Sequence, residues 1–170
     1  RIAFAGLSLG SMTGVIYGSV VPNPALTRTM ALSVPGGGLA ELLRDSVSFG
    51  PRINAGLQAQ GLLPGTSLYN QFMRDVQAIV DAGDPLNYVA SAASQRAIYL
   101  QQVIGADPPP PNPDQVVPNS ATQRLIAAIQ GAGIAFPRVP PGPRVGSGYV
   151  NFIAGDHGSL LSPAASAATT

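Results

Sequence analysis

The 170-residue chain is 45% hydrophobic and only 10% charged, with a mean hydropathy of +0.23. That composition excludes intrinsic disorder and suffices for one domain with a real core. A net charge of +1 leaves no electrostatic footprint for nucleic acid. With no cysteine and a single histidine, His157, the sequence also excludes disulfides, a thiol nucleophile and a zinc site of the usual three or four ligands.

Ile2-Ala3-Phe4-Ala5 reads as a short strand buried on both faces, the pattern of a parallel sheet. Because the chain opens inside that strand, it is expected to belong to a longer polypeptide. No basic-then-apolar leader opens it, and no apolar run approaches the roughly 18 residues of a membrane span. Gly6-Leu7-Ser8-Leu9-Gly10 follows the strand, and a helix is expected from Gly10 to Tyr17, ended by Gly18, Pro22 and Pro24. Met30 to Val34 is a second strand, stopped by Pro35-Gly36-Gly37-Gly38; the glycines are read as a turn. Leu39 to Arg44 is a short helix.

From Gly50 to Tyr88 the pattern is helical throughout, with Leu68, Phe72, Val76, Ile79 and Val80 recurring at three- and four-residue steps. This block, about residues 45–95, is expected to be a helical insertion, either a cap or lid or ordinary core-facing helices. Ala97 to Ile104 is a third strand. A proline loop from Gly105 to Pro113 precedes a helix capped by Asn119 or Ser120, with Leu125, Ile126 and Ile129 on its apolar face and an end at Gly131 and Gly133. After a second proline-rich loop, Tyr149 to Ala154 is the last strand, and Ser162-Pro163 opens a small terminal helix of alanines. Strands alternating with helices predict a parallel α/β sheet, whose reactive groups collect beyond the carboxyl ends of the strands.

The chemistry is carried by Ser8, between two glycines where a buried strand turns into a helix. Such a tight turn strains the serine backbone and demands small neighbours. The serine hydroxyl becomes nucleophilic only when a base removes its proton, and His157 is the one imidazole present. A carboxylate must hold that imidazole in the right tautomer. Asp114 is preferred, because the apolar turn that follows it can pack down and fix the carboxylate's direction. Asp107 is the alternative acid, although its proline neighbour marks a strand-end turn residue. Asp156 is a poor orienter, since neighbouring extended residues point apart. The order Ser8, Asp114, His157 is that of α/β-hydrolases. The backbone N–H of Leu9, at a helix start, is the expected oxyanion donor.

Gly6-Leu7-Ser8-Leu9-Gly10-Ser11, Asp114-Gln115-Val116-Val117-Pro118-Asn119 and Gly155-Asp156-His157-Gly158-Ser159-Leu160-Leu161 together resemble the C-terminal half of a bacterial secreted or surface-anchored lipase of the α/β-hydrolase superfamily. Val34-Pro35-Gly36-Gly37-Gly38 and Asp81 to Tyr88 join that resemblance. It implies a partial α/β-hydrolase domain over residues 1–170, hydrolysis of fatty-acyl esters by a Ser-Asp-His triad, and no metal or organic cofactor. It also implies an extracellular or outer-surface location and a partnership with the missing N-terminal half of the same protein. Leu62, Leu63, Phe72 and Ile79 of the insertion are expected to line an acyl pocket, or equally to be core. Two other readings stay open: a catalytically incompetent interaction module, and a thioesterase or peptidase on the same fold.

Overall fold

The computed structural model describes residues 2–105, 114–142, 146–161 and 167–168. Strands β1 (Ile2–Leu7), β2 (Thr27–Ser33), β3 (Ala97–Val103) and β4 (Gly148–Ala154) form a sheet in sequential order, all parallel. A two-residue strand, β5 (Ala167–Ala168), closes the far side antiparallel to β4. Helix α1 (Leu9–Val20) joins β1 to β2, and α6 (Asn119–Gly131) lies between β3 and β4. Between β2 and β3 come α2 (Leu39–Asp45), α3 (Gly50–Ala59), α4 (Ser67–Val80), two 3₁₀ turns and α5 (Val89–Gln95).

Side chains alternate across a strand, so each strand offers the two sides of the sheet different residues. On one side Met30, Leu32, Ile98 and Leu100 are fully buried against Val15 of α1, Val89 of α5 and Leu125 and Ile129 of α6. Each such side chain stabilises the fold by roughly 1.5–3 kcal/mol, so this face bonds sheet to helices. The opposite side carries Ala5, Ala31 and Tyr99, which stand in register across β1, β2 and β3. Ala3, Ala5 and Thr29 on that side are exposed.

Several local expectations change. β1 is an edge strand with Ile2 64% exposed, rather than a strand buried on both faces; it pairs with β2 alone among the described residues. α1 runs past Gly18 to Val20, because Gly18 is a packing residue: a Cβ there would meet the Met30 sulfur at 2.7 Å. The carbonyls of Gly18 and Val21 at its end accept hydrogen bonds from the buried guanidinium of Arg96.

The helical stretch after Gly50 is broken between α3 and α4, where Gly61 and Gly65 adopt φ of 79° and 85°. On α4 the buried face is Tyr69, Met73 and Val76, while Leu68, Phe72 and Ile79 face solvent. Val76 belongs to both the expected stripe and the buried face, whereas Leu68 and Phe72 give way to their neighbours Tyr69 and Met73. α5, a run of small residues with little hydrophobic contrast, lies at the end of the expected helical block. Neither Asn119 nor Ser120 caps α6, which starts behind Pro118 with no side-chain cap. Ala167 and Ala168 are strand rather than helix; residues 162–166 lie outside the described residues.

Candidate active site

Ser8 sits at the junction of β1 and α1 with φ 54° and ψ −121°. Serine avoids this region because its Cβ crowds the backbone, so the conformation stores strain of the order of 1–3 kcal/mol. Two contacts hold it. The Ser8 N–H donates to the Ser33 carbonyl at the end of β2 (2.9 Å). The buried Ser11 hydroxyl lies 2.6 Å from the Gly6 carbonyl and 2.9 Å from that same Ser33 carbonyl. Leu9 is the first residue of α1, and the opening N–H groups of a helix have no intrahelical acceptor.

Asp114 follows β3, its N–H donating to the Val103 carbonyl (3.2 Å). Its Oδ1 accepts from the Val116 and Val117 N–H groups at 2.8 and 3.0 Å, while the Val117 side chain is buried against Met12, Leu42 and Ala121. The apolar turn therefore pins the carboxylate. His157 follows β4, and its Nδ1 lies 2.7 Å from Asp114 Oδ2 and 2.9 Å from Oδ1. Two carboxylate oxygens at Nδ1 favour the proton on that nitrogen and leave the Nε2 lone pair free. Asp114 is almost wholly buried and the imidazole is 24% exposed. Neither Nε2 nor Ser8 Oγ has a hydrogen-bond partner among the described residues.

Asp156 makes no hydrogen bond to the imidazole among the described residues. Its Oδ1 accepts from the Gly158 N–H (2.8 Å) and its N–H donates to the Ser159 hydroxyl (2.7 Å), which folds the turn that carries His157. Ser159 and Leu160 then lie over the strand ends, sharing a small void of about 20 Å³ with Ser33, Val34, Val103 and Phe152. Ser33 thus touches both sides of the site: its carbonyl holds Ser8, and its side of the void faces the histidine turn. Ser8, Asp114 and His157 all lie beyond the carboxyl ends of parallel strands, as an open α/β sheet requires. Asp107 lies outside the described residues.

The four insertion residues expected to line an acyl pocket, or equally to be core, divide between inside and outside. Leu62 packs with Tyr69 and Met73 inside the helical layer. Leu63, Phe72 and Ile79 are exposed, Ile79 by 80%. Two concavities lie elsewhere on the insertion. A cleft of about 570 Å³ is lined by Arg44, Arg74 and Arg124 with Glu41 and Asp81. Beside it, the hydrogen bond between Arg44 and Asp45 raises the arginine's pKa and lowers the aspartate's. A second groove, about 370 Å³, is lined by Leu43, Ser48, Phe49, Arg52 and Ile53. None of Ser8, Asp114 and His157 lines either concavity.

Two residues escape sequence reasoning. Val34, at the end of β2, has φ 46° although it is β-branched and buried, and nothing in a Ser-Val-Pro string announces it. Asp84 is fully buried and accepts from the Gly38, Leu39 and Leu86 N–H groups and from Gln77 Nε2. It clamps the glycine turn to the end of the insertion. A lone Asp-Pro between helical segments was its only signal.

No protein-family model and no curated protein sequence matches the chain. Two structures of Pyrococcus horikoshii acylaminoacyl peptidase do resemble it, one uncomplexed and one in an orthorhombic crystal form, with TM-scores of 0.59 and 0.57 at 12% identity. Each alignment covers 95% of this chain and 21% or 20% of the peptidase. The chain therefore spans about a fifth of the length of those proteins. The likeness shows the fold: α/β-hydrolase-like, with four parallel strands and flanking helices.

Proposed function

We propose that Ser8, Asp114 and His157 form the triad of a serine ester hydrolase, a lipase acting on fatty-acyl esters. The observation that carries this reading is the buried Asp114 carboxylate on His157 Nδ1 at 2.7 Å, on the same sheet edge as a serine held in a left-handed turn. Nε2 takes the Ser8 proton as Oγ attacks the ester carbonyl. The Leu9 N–H donates to the developing oxyanion, whose charge the α1 dipole also favours. Collapse breaks the acyl–oxygen bond, and Nε2 returns the proton to the departing alcohol. Water then attacks the Ser8 ester by the same proton route and releases the acid. The chemistry draws on no metal or organic cofactor.

The unpaired edge of β1 belongs to the same proposal. Further strands of the same protein pair there, and a loop from them supplies the second oxyanion donor. Export to the cell surface rests on the lipase resemblance. Peptide hydrolysis is the second reading, favoured by the peptidase identity of the structural neighbours; an acyl-enzyme from an amide uses the same three residues.

The test is covalent labelling with a fluorophosphonate in the full-length protein that contains this chain, followed by hydrolysis of p-nitrophenyl esters against an N-acetylalanine p-nitroanilide. Labelling at Ser8 that vanishes in Ser8→Ala, with ester turnover dominant, is the expected result. Dominant anilide turnover would select the peptidase. Absence of labelling would leave a catalytically incompetent module and end the proposal.

A further inference from the structure

Val34 stands where β2 leaves the sheet, with φ 46° and an exposure of 2%. Three things oppose that conformation. The left-handed region crowds the Cβ of any L-residue, a branched Cβ is stiffer still, and a following proline narrows the backbone of the residue before it. Pro35 is that proline. A residue stays so strained only where its surroundings over-determine it, and such residues cluster at functional sites. Among the described residues, Ser8 is the other non-glycine residue at positive φ.

The surroundings of Val34 lead to each arm of the candidate triad. The Ser33–Val34 peptide bridges two neighbouring strands. Its carbonyl accepts from the Ser8 N–H at 2.9 Å, and its N–H donates to the Gln101 carbonyl at 2.8 Å. The first of these bonds holds the serine elbow. Towards the base, Val34 lines the small void shared with Ser159 and Leu160, which follow His157 in its turn.

Towards the acid, the chain beyond Val34 runs against the turn of Asp114. The Pro35 carbonyl accepts from the buried Thr122 hydroxyl at 2.7 Å. A Cβ on Gly36 would fall 2.9 Å from Val117 Cγ1, so the backbone there packs directly on Val117. Val117 in turn donates its N–H to Asp114 Oδ1. One joint therefore links the peptide that fixes the serine to the segment packed on the acid's anchor, and it borders the histidine turn.

We infer that Val34 is a positioning residue of the proposed hydrolase, its left-handed backbone setting the spacing between the serine elbow, the acid turn and the histidine turn. A branched side chain bars most of the backbone that a glycine at this position could explore. The strained joint thus gives up stability for rigidity. Rigidity matters because misplacing reacting groups by about 1 Å costs about a hundredfold in rate. The role in turnover rests on the ester-hydrolase reading; the hold on the Ser8 backbone does not.

Two substitutions in the full-length protein that contains this chain separate rigidity from packing. Val34→Gly releases the strain and removes an apolar side chain together, so its urea midpoint should stay near that of the wild type. Its kcat for a p-nitrophenyl ester should nevertheless fall by about tenfold or more, with KM within about twofold. Val34→Thr keeps the branched Cβ but buries a hydroxyl, so its midpoint should fall while kcat stays within about twofold. The less stable variant is then the faster enzyme, an ordering that a packing role alone does not produce. Hydrogen exchange reads the joint without turnover. The Ser8 amide should exchange about tenfold faster in Val34→Gly than in wild type, while the β3 amides are unchanged and Val34→Thr keeps Ser8 slow.

Turnover that follows the urea midpoint across both variants, a Val34→Gly protein that fails to fold, or a Ser8 amide equally protected in Val34→Gly and wild type would overturn the proposal. Fluorophosphonate labelling of Ser8 separates the two ideas. An unlabelled wild type whose Ser8 amide is released by glycine alone sinks the triad and spares the joint; a labelled one whose amide is indifferent to glycine does the reverse.

Discussion

A Cβ placed on Gly6 would fall 2.8 Å from the backbone C and O of Gly10 and the N of Ser11, whereas one placed on Gly10 meets nothing within 4 Å. The two glycines around Ser8 are therefore not equivalent, although the sequence pattern treats them alike. Gly6 lets β1 pass under the first turn of α1; backbone atoms cannot swing aside as a side-chain tip can. Gly6→Ala should cost about 2–3 kcal/mol in urea unfolding and displace the elbow. Gly10→Ala should be neutral or gain about 0.5–1 kcal/mol, since alanine is the better residue inside a helix. Equal effects at the two positions would contradict the geometry. At the acid, Asp114→Asn keeps the shape but offers an amide where Nδ1–H needs a carboxylate. Under the proposed triad, kcat should fall by about three to four orders of magnitude, while Asp107→Asn leaves it nearly unchanged. Steady-state hydrolysis of a p-nitrophenyl ester in the two variants decides which aspartate is the acid.

Among elements, one carboxylate ties the start of α2 to the later turns of the segment that runs to α5. Asp84 accepts three backbone N–H groups and an amide, and two of those N–H groups open α2. Asp84→Ala would leave the buried Gly38 N–H without a partner, and a urea unfolding midpoint corresponding to a loss of about 3 kcal/mol is expected. Asp84→Asn, which keeps one acceptor oxygen, should lose less. How far the elements can be read from sequence follows from the same physics. β2, β3 and β4 were legible because each is an apolar run bounded by Gly or Pro. Ser8 and His157 stand out as candidates because a serine between glycines and a single imidazole leave few alternatives. The Val-Val after Asp114 suggests a turn that fixes its carboxylate, and the Val116 and Val117 N–H groups do donate to it; Asp107 lies outside the described residues. The buried stripe of α4 could not be read. Periodicity gives the spacing of an amphipathic helix, but which of two adjacent stripes is buried depends on what packs against it. On α4, Tyr69 and Met73 took the inner face because Ala40 of α2 lies there. Val34 and Asp84 depend on contacts from residues distant in sequence, which no local pattern encodes.

Across the whole molecule, the two sides and the two edges of the sheet are unequal. The side facing α1, α5 and α6 is closed, with Leu32, Ile98 and Leu100 at 0% exposure. The β4 edge is capped by β5. The β1 edge is open among the described residues, and Ala3 and Ala5 beside it are exposed. Proteins seldom leave a parallel strand's N–H and C=O groups unpaired beside an apolar surface, because such an edge recruits other strands. Ser8 follows β1 directly, so the open edge belongs to the strand that carries the candidate nucleophile. If further strands of the same protein pair with β1, its outward amides gain acceptors, and Ser8 stands at the interior of a wider sheet. Hydrogen exchange on the full-length protein measures this directly. Amides of Ala3, Ala5 and Leu7 should then exchange as slowly as those of β2 and β3, because their opening would require global unfolding. If alternate β1 amides exchange within seconds while β3 stays protected, β1 is a true edge, and the strained serine rests on the outermost strand with no second oxyanion loop beside it.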